Sequence, residues 1–252
     1  MRLAVRSIIR AELMEQPAEV IVSKSRLRPI LFVLLALVVT AGVTVEVLRG
    51  RLGLSTRSGI LPLLSMSYEG NIPTFYTSAL LGLVSLLCSI SAASARKHAA
   101  HFWVLAAGFL YIAIDEVFQF HEFAGTFIKG SGVLFFTWVI PAAIIVLVVG
   151  VSFIPFLRAL PSKTRFWFLL SGALYVGGAV GMELPLGWWT ESHGTQNLGY
   201  ALIDAVEEGL EMIGVNLFLL ALLDRLADEN VVVRFSRGAE RKKNEEPSQA
   251  DA

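Results

Sequence analysis

Residues 29–48 read PILFVLLALVVTAGVTVEVL, which is 20 residues without a single Lys or Arg. An α-helix of about 20 mostly apolar residues is long enough to cross the hydrocarbon core of a bilayer. A second stretch, VLFFTWVIPAAIIVLVVGVSF at residues 133–153, has the same character. Both stretches predict helices that lie in a membrane.

The composition of the whole chain agrees with a membrane location. Of the 252 residues, 55% are hydrophobic and 17% are charged, whereas soluble domains are roughly 45–50% apolar and about 25% charged. Lys+Arg and Asp+Glu both number 21, so there is no basic surplus with which to bind nucleic acid. The one cysteine, Cys88, excludes an internal disulfide and a cysteine-based metal site. The chain also shows no phosphate-binding glycine loop, and hence no nucleotide or flavin signal.

Four further windows are long and apolar enough to be membrane spans, although acidic residues interrupt three of them. No other part of the chain could bury their apolar surface. We therefore predict an all-α fold, a polytopic bundle of six transmembrane helices that covers residues 29–223. The six windows are 29–48, 74–95, 101–122, 133–157, 166–184 and 199–223.

The two ends of the chain differ from this domain. Residues 1–28 precede the first apolar window, which is too long a leader for a secretory signal, so the first window is predicted to be a retained helix. This basic N-terminal segment is either an amphipathic helix on the inner leaflet or a disordered leader. The tail at 224–252 ends in RGAERKKNEEPSQADA, a polar sequence without aromatic residues, which predicts disorder.

Basic residues are distributed unevenly between the two sides that six spans would create. Of the 21 Lys and Arg residues, 17 lie before the first window, in the second and fourth connections, or after the sixth window. Cytoplasmic segments carry the excess of Lys and Arg in membrane proteins. The distribution therefore predicts that both termini are cytoplasmic. The basic residues on the other side are Arg49, Arg51, Arg57 and Lys129.

The six windows contain nine acids but no Lys or Arg. An acid at the centre of a membrane helix costs about 2.5–3.5 kcal/mol, so these acids need protons, bound cations or a water-filled cavity. We expect no basic side chain to be placed where it could neutralise them. All nine fall in the half of the membrane nearer the outside. They are Glu46, Asp115, Glu116, Glu122, Glu183, Asp204, Glu207, Glu208 and Glu211.

The acids of the third and sixth windows lie on narrow helix faces, since successive helical residues are about 100° apart. Intramembrane acids are expected to face the interior of a bundle. We therefore expect the two faces to meet each other or a shared cavity that opens to the outside. The stripe on the sixth window is Asp204, Glu208 and Glu211, with Glu207 at its edge. The stripe on the third window is Tyr111, Asp115, Gln119 and Glu122, with Glu116 off to one side.

Two of the four histidines lie near these acids, His121 in DEVFQFHE and His193 in an outer connection. On an ideal helix His121 points about 120° away from Asp115, so it reaches the acids only if the helix ends or unwinds near Phe120. Otherwise both histidines are interfacial. Imidazole with carboxylates suits Zn, Mn or Fe, and carboxylates alone suit Ca or Mg. The chain lacks the Glu-x-x-His pairs of helical di-iron sites.

These residues predict a site for a divalent cation whose identity the sequence leaves open, with simple protonation of the acids as the alternative. The metal-ligand candidates are Asp115, Glu116, His121, Glu122, Glu183, Asp204, Glu207, Glu208 and Glu211.

Three stretches, IDEVFQFHE at 114–122, MELPLGWW at 182–189 and VEEGLEMIG at 206–214, carry a family resemblance. With their patterns DE-x4-HE and EE-x2-E, they resemble a family of uncharacterised bacterial multi-pass membrane proteins. The resemblance implies a location in the bacterial inner membrane. It implies no activity, and no functional residue is carried over from it.

Three functions remain open from the sequence. The first is binding of a cation in an outward-facing acidic cluster, as a carrier or as a metal-holding scaffold. The second is an intramembrane metal-dependent enzyme that acts on a lipid or periplasmic substrate, with Glu207 or Glu116 as general base. The third is a subunit or assembly factor whose acids pair with other membrane subunits. The partner common to all three is the lipid bilayer.

Overall fold

The structure is a computed structural model that describes residues 24–52, 59–95, 97–125, 127 and 129–233. The described residues form helices and connections without a β-strand, so the predicted all-α class is confirmed. The predictions for residues 1–23 and 234–252 lie outside the described residues. The α-helices are α1 (Lys24–Leu52), α2 (Leu61–Leu64), α3 (Ile72–Ser94), α4 (Ala99–Phe118), α5 (Phe120–Gly125), α6 (Val139–Ser152), α7 (Ile154–Ala159), α8 (Ser162–Val176), α9 (Glu183–His193) and α10 (Leu198–Asp228).

Four of the described helical stretches are long and apolar enough to cross a membrane, by length and composition. They indicate a membrane protein, and they correspond to the first, second, third and fifth predicted windows. α10 has 31 residues, but acids interrupt its apolar sequence, and α6 has only 14 residues. The four stretches are Ser25–Leu52, Ile72–Ser94, Ala99–Phe118 and Ser162–His193.

Helix boundaries differ from three of the predicted windows. α4 ends at Phe118 instead of near residue 122, because Gln119 adopts a left-handed backbone conformation with φ of 57°. The fourth window is divided between α6 and α7, where Pro155 cannot donate a hydrogen bond to the preceding turn. The fifth window is extended, since a π-helix over Gly177–Met182 joins α8 to α9 in one stretch that ends at His193.

α10 is the central helix of the bundle and packs against α8, α1 and α3, while α3 packs along α4. Two serines also join α3 to α4: Ser78 Oγ donates to the carbonyl oxygen of Ala113, and Ser85 Oγ to that of Ala106, both at 2.7 Å. The packing produces an apolar core in one half of the bundle. Its fully buried side chains include Leu81, Val84, Cys88, Val215 and Leu222.

Two glycines allow α10 to cross the α8 and π-helix segment at close range. A β-carbon at Gly178 would lie 2.8 Å from the carbonyl oxygen of Glu207 and 2.9 Å from Cγ of Glu211. One at Gly214 would lie 2.8 Å from the backbone nitrogen of Tyr175. Small residues are what permit membrane helices to approach this closely. The crossing places the turn that carries Glu207 and Glu211 directly against the π-helix.

Three connections of the chain meet at one end of the bundle. Arg49 at the end of α1 donates to Gln196 Oε1 at 2.7 Å, which joins the α1 end to the connection before α10. The backbone N–H of Gly132 donates to Glu191 Oε2 at 2.7 Å, which joins the connection before α6 to α9. We call this the acidic end, because the acids described below lie there. At the opposite end the Arg225 guanidinium lies 4.3 Å from the centroid of the Phe102 ring.

Candidate metal site

The site begins where α4 ends. The N–H of Gln119 donates to the carbonyl oxygen of Asp115 at 2.6 Å, and the left-handed turn at Gln119 redirects the chain into α5. His121 is thereby returned to Asp115: its N–H donates to Oδ1 at 3.1 Å, and its ring Nδ1 lies 2.6 Å from Oδ2. The sequence required a helix break near Phe120 for this approach, and the structure has one at Gln119.

Glu69, from the connection between α2 and α3, joins His121 and Glu122. One ring nitrogen of His121 and one carboxylate oxygen from each glutamate lie within 4.8 Å of one another. We call these three residues the outer group. Glu69 Oε2 is buried without a hydrogen-bond partner. The sequence analysis missed Glu69 because it lies in a connection, outside every apolar window, with no motif around it.

The connection that carries Glu69 is held in place by Asn71. Its side-chain amide donates to the carbonyl oxygens of Ser65 and Tyr68, both at 2.6 Å, and its Oδ1 accepts from the N–H of Thr74 at the start of α3. The Asn71 side chain therefore both caps α3 and closes the connection between α2 and α3. The position of Glu69 follows from this arrangement.

The Glu69 carboxyl has an unusually high pKa. The pKa of Glu69 is raised from 4.5 to about 7, chiefly by burial and next by the negative charge of Glu122. A hydrogen bond with the Gln119 side chain acts the other way, since it favours the charged form. At neutral pH this carboxyl is poised to exchange its proton for another cation.

Glu183 and Glu207 interact with each other, and each is only 8% exposed. Trp138 links Glu183 to the outer group: Nε1 donates to Glu183 Oε1 at 3.0 Å, and the ring centroid lies 4.7 Å from that of His121. The Oε2 atoms of both glutamates and Oδ2 of Asp204 are buried without a hydrogen-bond partner. Each buried polar atom without a partner lowers the stability of the folded state by about 1–3 kcal/mol. Three such oxygen atoms in one region therefore indicate a place for a cation or a proton.

A second set of acids, which we call the inner group, consists of Glu116, Glu208 and Glu211. Glu116 is the charge that acts most strongly on Glu208 and on Glu211. The hydroxyl of Tyr175 is hydrogen-bonded to Glu211. Glu207 interacts with both Glu183 and Glu211, so it connects the inner group to the acids near Trp138.

α4 and α10 face each other through their side chains, and the Phe109 and Phe218 ring centroids lie 5.1 Å apart. The predicted stripe on α4 is nevertheless wrong in detail. Tyr111 is 58% exposed and so lies outside the bundle interior. Asp115 pairs with His121, and Glu116, which the prediction set to one side, acts on Glu208 and Glu211 of α10.

Glu46 has a partner that the sequence analysis did not expect. It is fully buried, its Oε2 accepts from Arg49 Nη1 at 3.2 Å, and its Oε1 accepts from Ser65 Oγ. The expectation that no basic side chain neutralises the acids is therefore wrong for Glu46. Arg49 lies just beyond the apolar window, one helical turn after Glu46, and reaches back to it. The Arg49 charge also acts on Asp204.

A protein family described as a domain of unknown function, DUF8692, matches residues 30–226. The chain belongs to this family. No curated protein and no solved structure matches the chain. The DUF8692 match agrees with the resemblance to an uncharacterised family, and it includes every residue of the outer and inner groups.

The other histidines of the DUF8692 domain lie away from the acids. His193 is exposed and stacks on Trp189, with ring centroids 4.2 Å apart. His98 and His101 pack on Phe156, at 5.7 and 5.1 Å between ring centroids. All four histidines of the chain are among the described residues, and His121 is the one that meets the acids.

Proposed function

We propose that this protein binds a divalent cation at the acidic end of its helical bundle. The observation that carries the proposal is the pair Glu183 and Glu207, each nine-tenths buried and each with an oxygen that no donor satisfies. An unpaired buried charge is so costly that such groups are neutralised by a proton or a cation. A hard divalent ion uses several oxygens at once, which accounts for the number of carboxylates that converge here.

The form of the function that fits best is a metal-holding scaffold, and a carrier fits less well. A carrier needs polar or broken helices that continue across the membrane. Beneath the acids, the hydrogen bond of 3.0 Å between Asn216 Nδ2 and Tyr76 Oη is followed by the apolar core around Val84 and Leu222. Among the described residues the side chains of that core cluster are apolar, which disfavours passage of an ion.

The proposal includes a topology of six crossings in a bacterial inner membrane, with both termini cytoplasmic and the acidic end outside. α6 and α7 together cover residues 139–159, about 31 Å of helix, and α10 is about 46 Å long. Both lengths suffice for a hydrocarbon core of about 30 Å. Reporter fusions after Gly53, Gly132 and Gly194 should all report an outside location. An inside signal at any of these positions contradicts the topology.

Metal content and thermal unfolding test the binding function. We expect the purified protein in detergent to retain a divalent metal, to unfold at a lower temperature after chelation, and to recover when metal is returned. An ion at 100 times its Kd stabilises the folded state by about 2.7 kcal/mol. Glu183→Gln should weaken this effect, and Asp228→Asn, an exposed acid at the opposite end, should keep it. If no ion raises the wild-type midpoint and Glu183→Gln is equally stable, the acids are protonated and the proposal fails.

A further inference from the structure

We infer that the outer group is a transition-metal site in which Glu69, His121 and Glu122 are the ligands and Asp115 orients His121. The inference rests on the proposed cation binding. It adds which residues hold the ion, and it identifies the class of ion.

The three ligand atoms are already close enough to share one ion. They lie within 4.8 Å of one another, although Glu69 precedes α3 and the other two belong to α5. Zinc bonds to nitrogen and oxygen are about 2.0–2.2 Å long, so the ligand atoms around a tetrahedral ion are about 3.4 Å apart. Small rotations of the two glutamate side chains bring the donors to that spacing.

The hydrogen bonds of His121 are those of a typical metal-binding histidine. Its Nδ1 lies 2.6 Å from Asp115 Oδ2, and its backbone N–H donates to the other oxygen of the same carboxylate. Because a carboxylate only accepts, Nδ1 carries the proton, and in the neutral ring the lone pair is on Nε2. A carboxylate on one ring nitrogen, which orients the other toward a metal, is the usual surrounding of a histidine ligand. Asp115 is thus a positioning residue.

A separate observation comes from Glu183, which lies on another helix. The Trp138 ring that packs against His121 holds Glu183 Oε1, while Glu183 Oε2 is buried without a partner. Glu122 is among the charges that act on Glu183. A nine-tenths-buried carboxylate with an unpartnered oxygen therefore lies within electrostatic reach of the outer group and shares the Trp138 ring with His121.

The ligand types select the class of ion. Calcium and magnesium take oxygen ligands, whereas imidazole suits zinc, manganese and iron. Three protein ligands with a further position for water are typical of zinc sites that remain open to exchange. Glu122 is exposed, so the outer group is accessible from outside the bundle.

The test is direct binding of Zn²⁺, Co²⁺ and Ca²⁺ to the full chain in detergent, after purification without a polyhistidine tag and removal of metal by chelator. We expect one Zn²⁺ per chain, and a visible Co²⁺ spectrum of a four- or five-coordinate ion. His121→Gln should weaken Zn²⁺ binding at least 100-fold, while His193→Gln, at the exposed histidine, should not change it. Asp115→Asn should weaken it about 10–100-fold with the stoichiometry unchanged.

Other outcomes separate this inference from the proposed function. If the wild type binds one divalent ion whose binding Glu183→Gln weakens, but His121→Gln and Asp115→Asn bind equally well, the ion lies among the buried acids. The inference is then overturned and the proposed function stands. If the wild type binds none of the three ions, both are overturned. Glu122→Gln, at an exposed side chain, provides a ligand variant whose fold is not at risk, and it too should weaken Zn²⁺ binding.

Discussion

His121 Nδ1 lies 2.6 Å from Asp115 Oδ2, although residues six apart on a continuous helix point in different directions. The contact exists because Gln119 breaks the helix with φ of 57°. A left-handed conformation costs a non-glycine residue about 1–2 kcal/mol. Two hydrogen bonds of Gln119 offset that cost, one from its N–H to the Asp115 carbonyl and one between its side chain and Glu69. The same residue therefore forms the His–Asp pair and contacts Glu69.

Two matched variants test whether metal binding depends on the helix break at Gln119. Gln119→Gly keeps the left-handed turn without steric cost, so we expect Zn²⁺ affinity within a few-fold of wild type. Gln119→Val places a β-branched residue at positive φ, so we expect at least a tenfold loss of affinity and a lower unfolding temperature. Binding titrations and thermal unfolding in detergent measure both. Equal Zn²⁺ affinity in the two variants would show that the site does not depend on the break.

We expect the loss of one partner of the buried Glu46–Arg49 ion pair to lower the stability of the protein strongly. Arg49→Met leaves the Glu46 carboxylate buried without its cation, which typically costs about 3–5 kcal/mol. Glu46→Gln combined with Arg49→Met removes both charges and should recover most of that loss. The free energies of unfolding of the two single variants and the double variant form a double-mutant cycle. Losses that simply add would contradict a direct pairing.

The length of the apolar stretches was sufficient to predict four of the long helices. The first, second, third and fifth windows each correspond to a helical stretch able to span a membrane. The ends of the helices were less predictable, because no glycine or proline near Gln119 indicates that the chain turns there. The π-helix at Gly177–Met182 likewise depends on tertiary contacts with α10.

The acids of the site were predictable, because an acid inside a membrane helix has a high free-energy cost and indicates a functional site. Their partners were not predictable. Glu69 and Arg49 both lie outside the apolar windows, and they reach the acids only through the folded connections at the acidic end. Helical periodicity alone also could not bring His121 to Asp115, because a helix that continues past Gln119 separates the two side chains by about 120°. The helix ends at Phe118, and His121 returns to Asp115.

Gly178 and Gly177 offer a matched test of the helix crossing. A β-carbon at Gly178 meets the backbone of Glu207 at 2.8 Å, whereas one at Gly177 meets nothing within 4 Å. Gly178→Ala should therefore destabilise the protein by about 1–3 kcal/mol, the usual cost of overpacking. Gly177→Ala should be neutral or slightly stabilising, since alanine favours a helical backbone. Thermal unfolding in detergent compares them, and equal midpoints would contradict the close crossing.

The raised pKa of Glu69 predicts how metal-free stability and metal affinity depend on pH. Because its folded pKa of about 7 lies above the unfolded value of 4.5, its contribution to stability is complete below pH 4.5 and is lost as the pH rises through 7. Metal affinity has the opposite dependence, because the carboxyl must lose its proton to bind. Zn²⁺ affinity should therefore rise between pH 6 and about pH 7.5 and then level off. Glu69→Gln should weaken binding and also flatten the pH dependence of the metal-free midpoint, while Asp228→Asn should alter neither. If the metal-free Glu69→Gln protein has the same pH dependence as wild type, Glu69 does not titrate in this range.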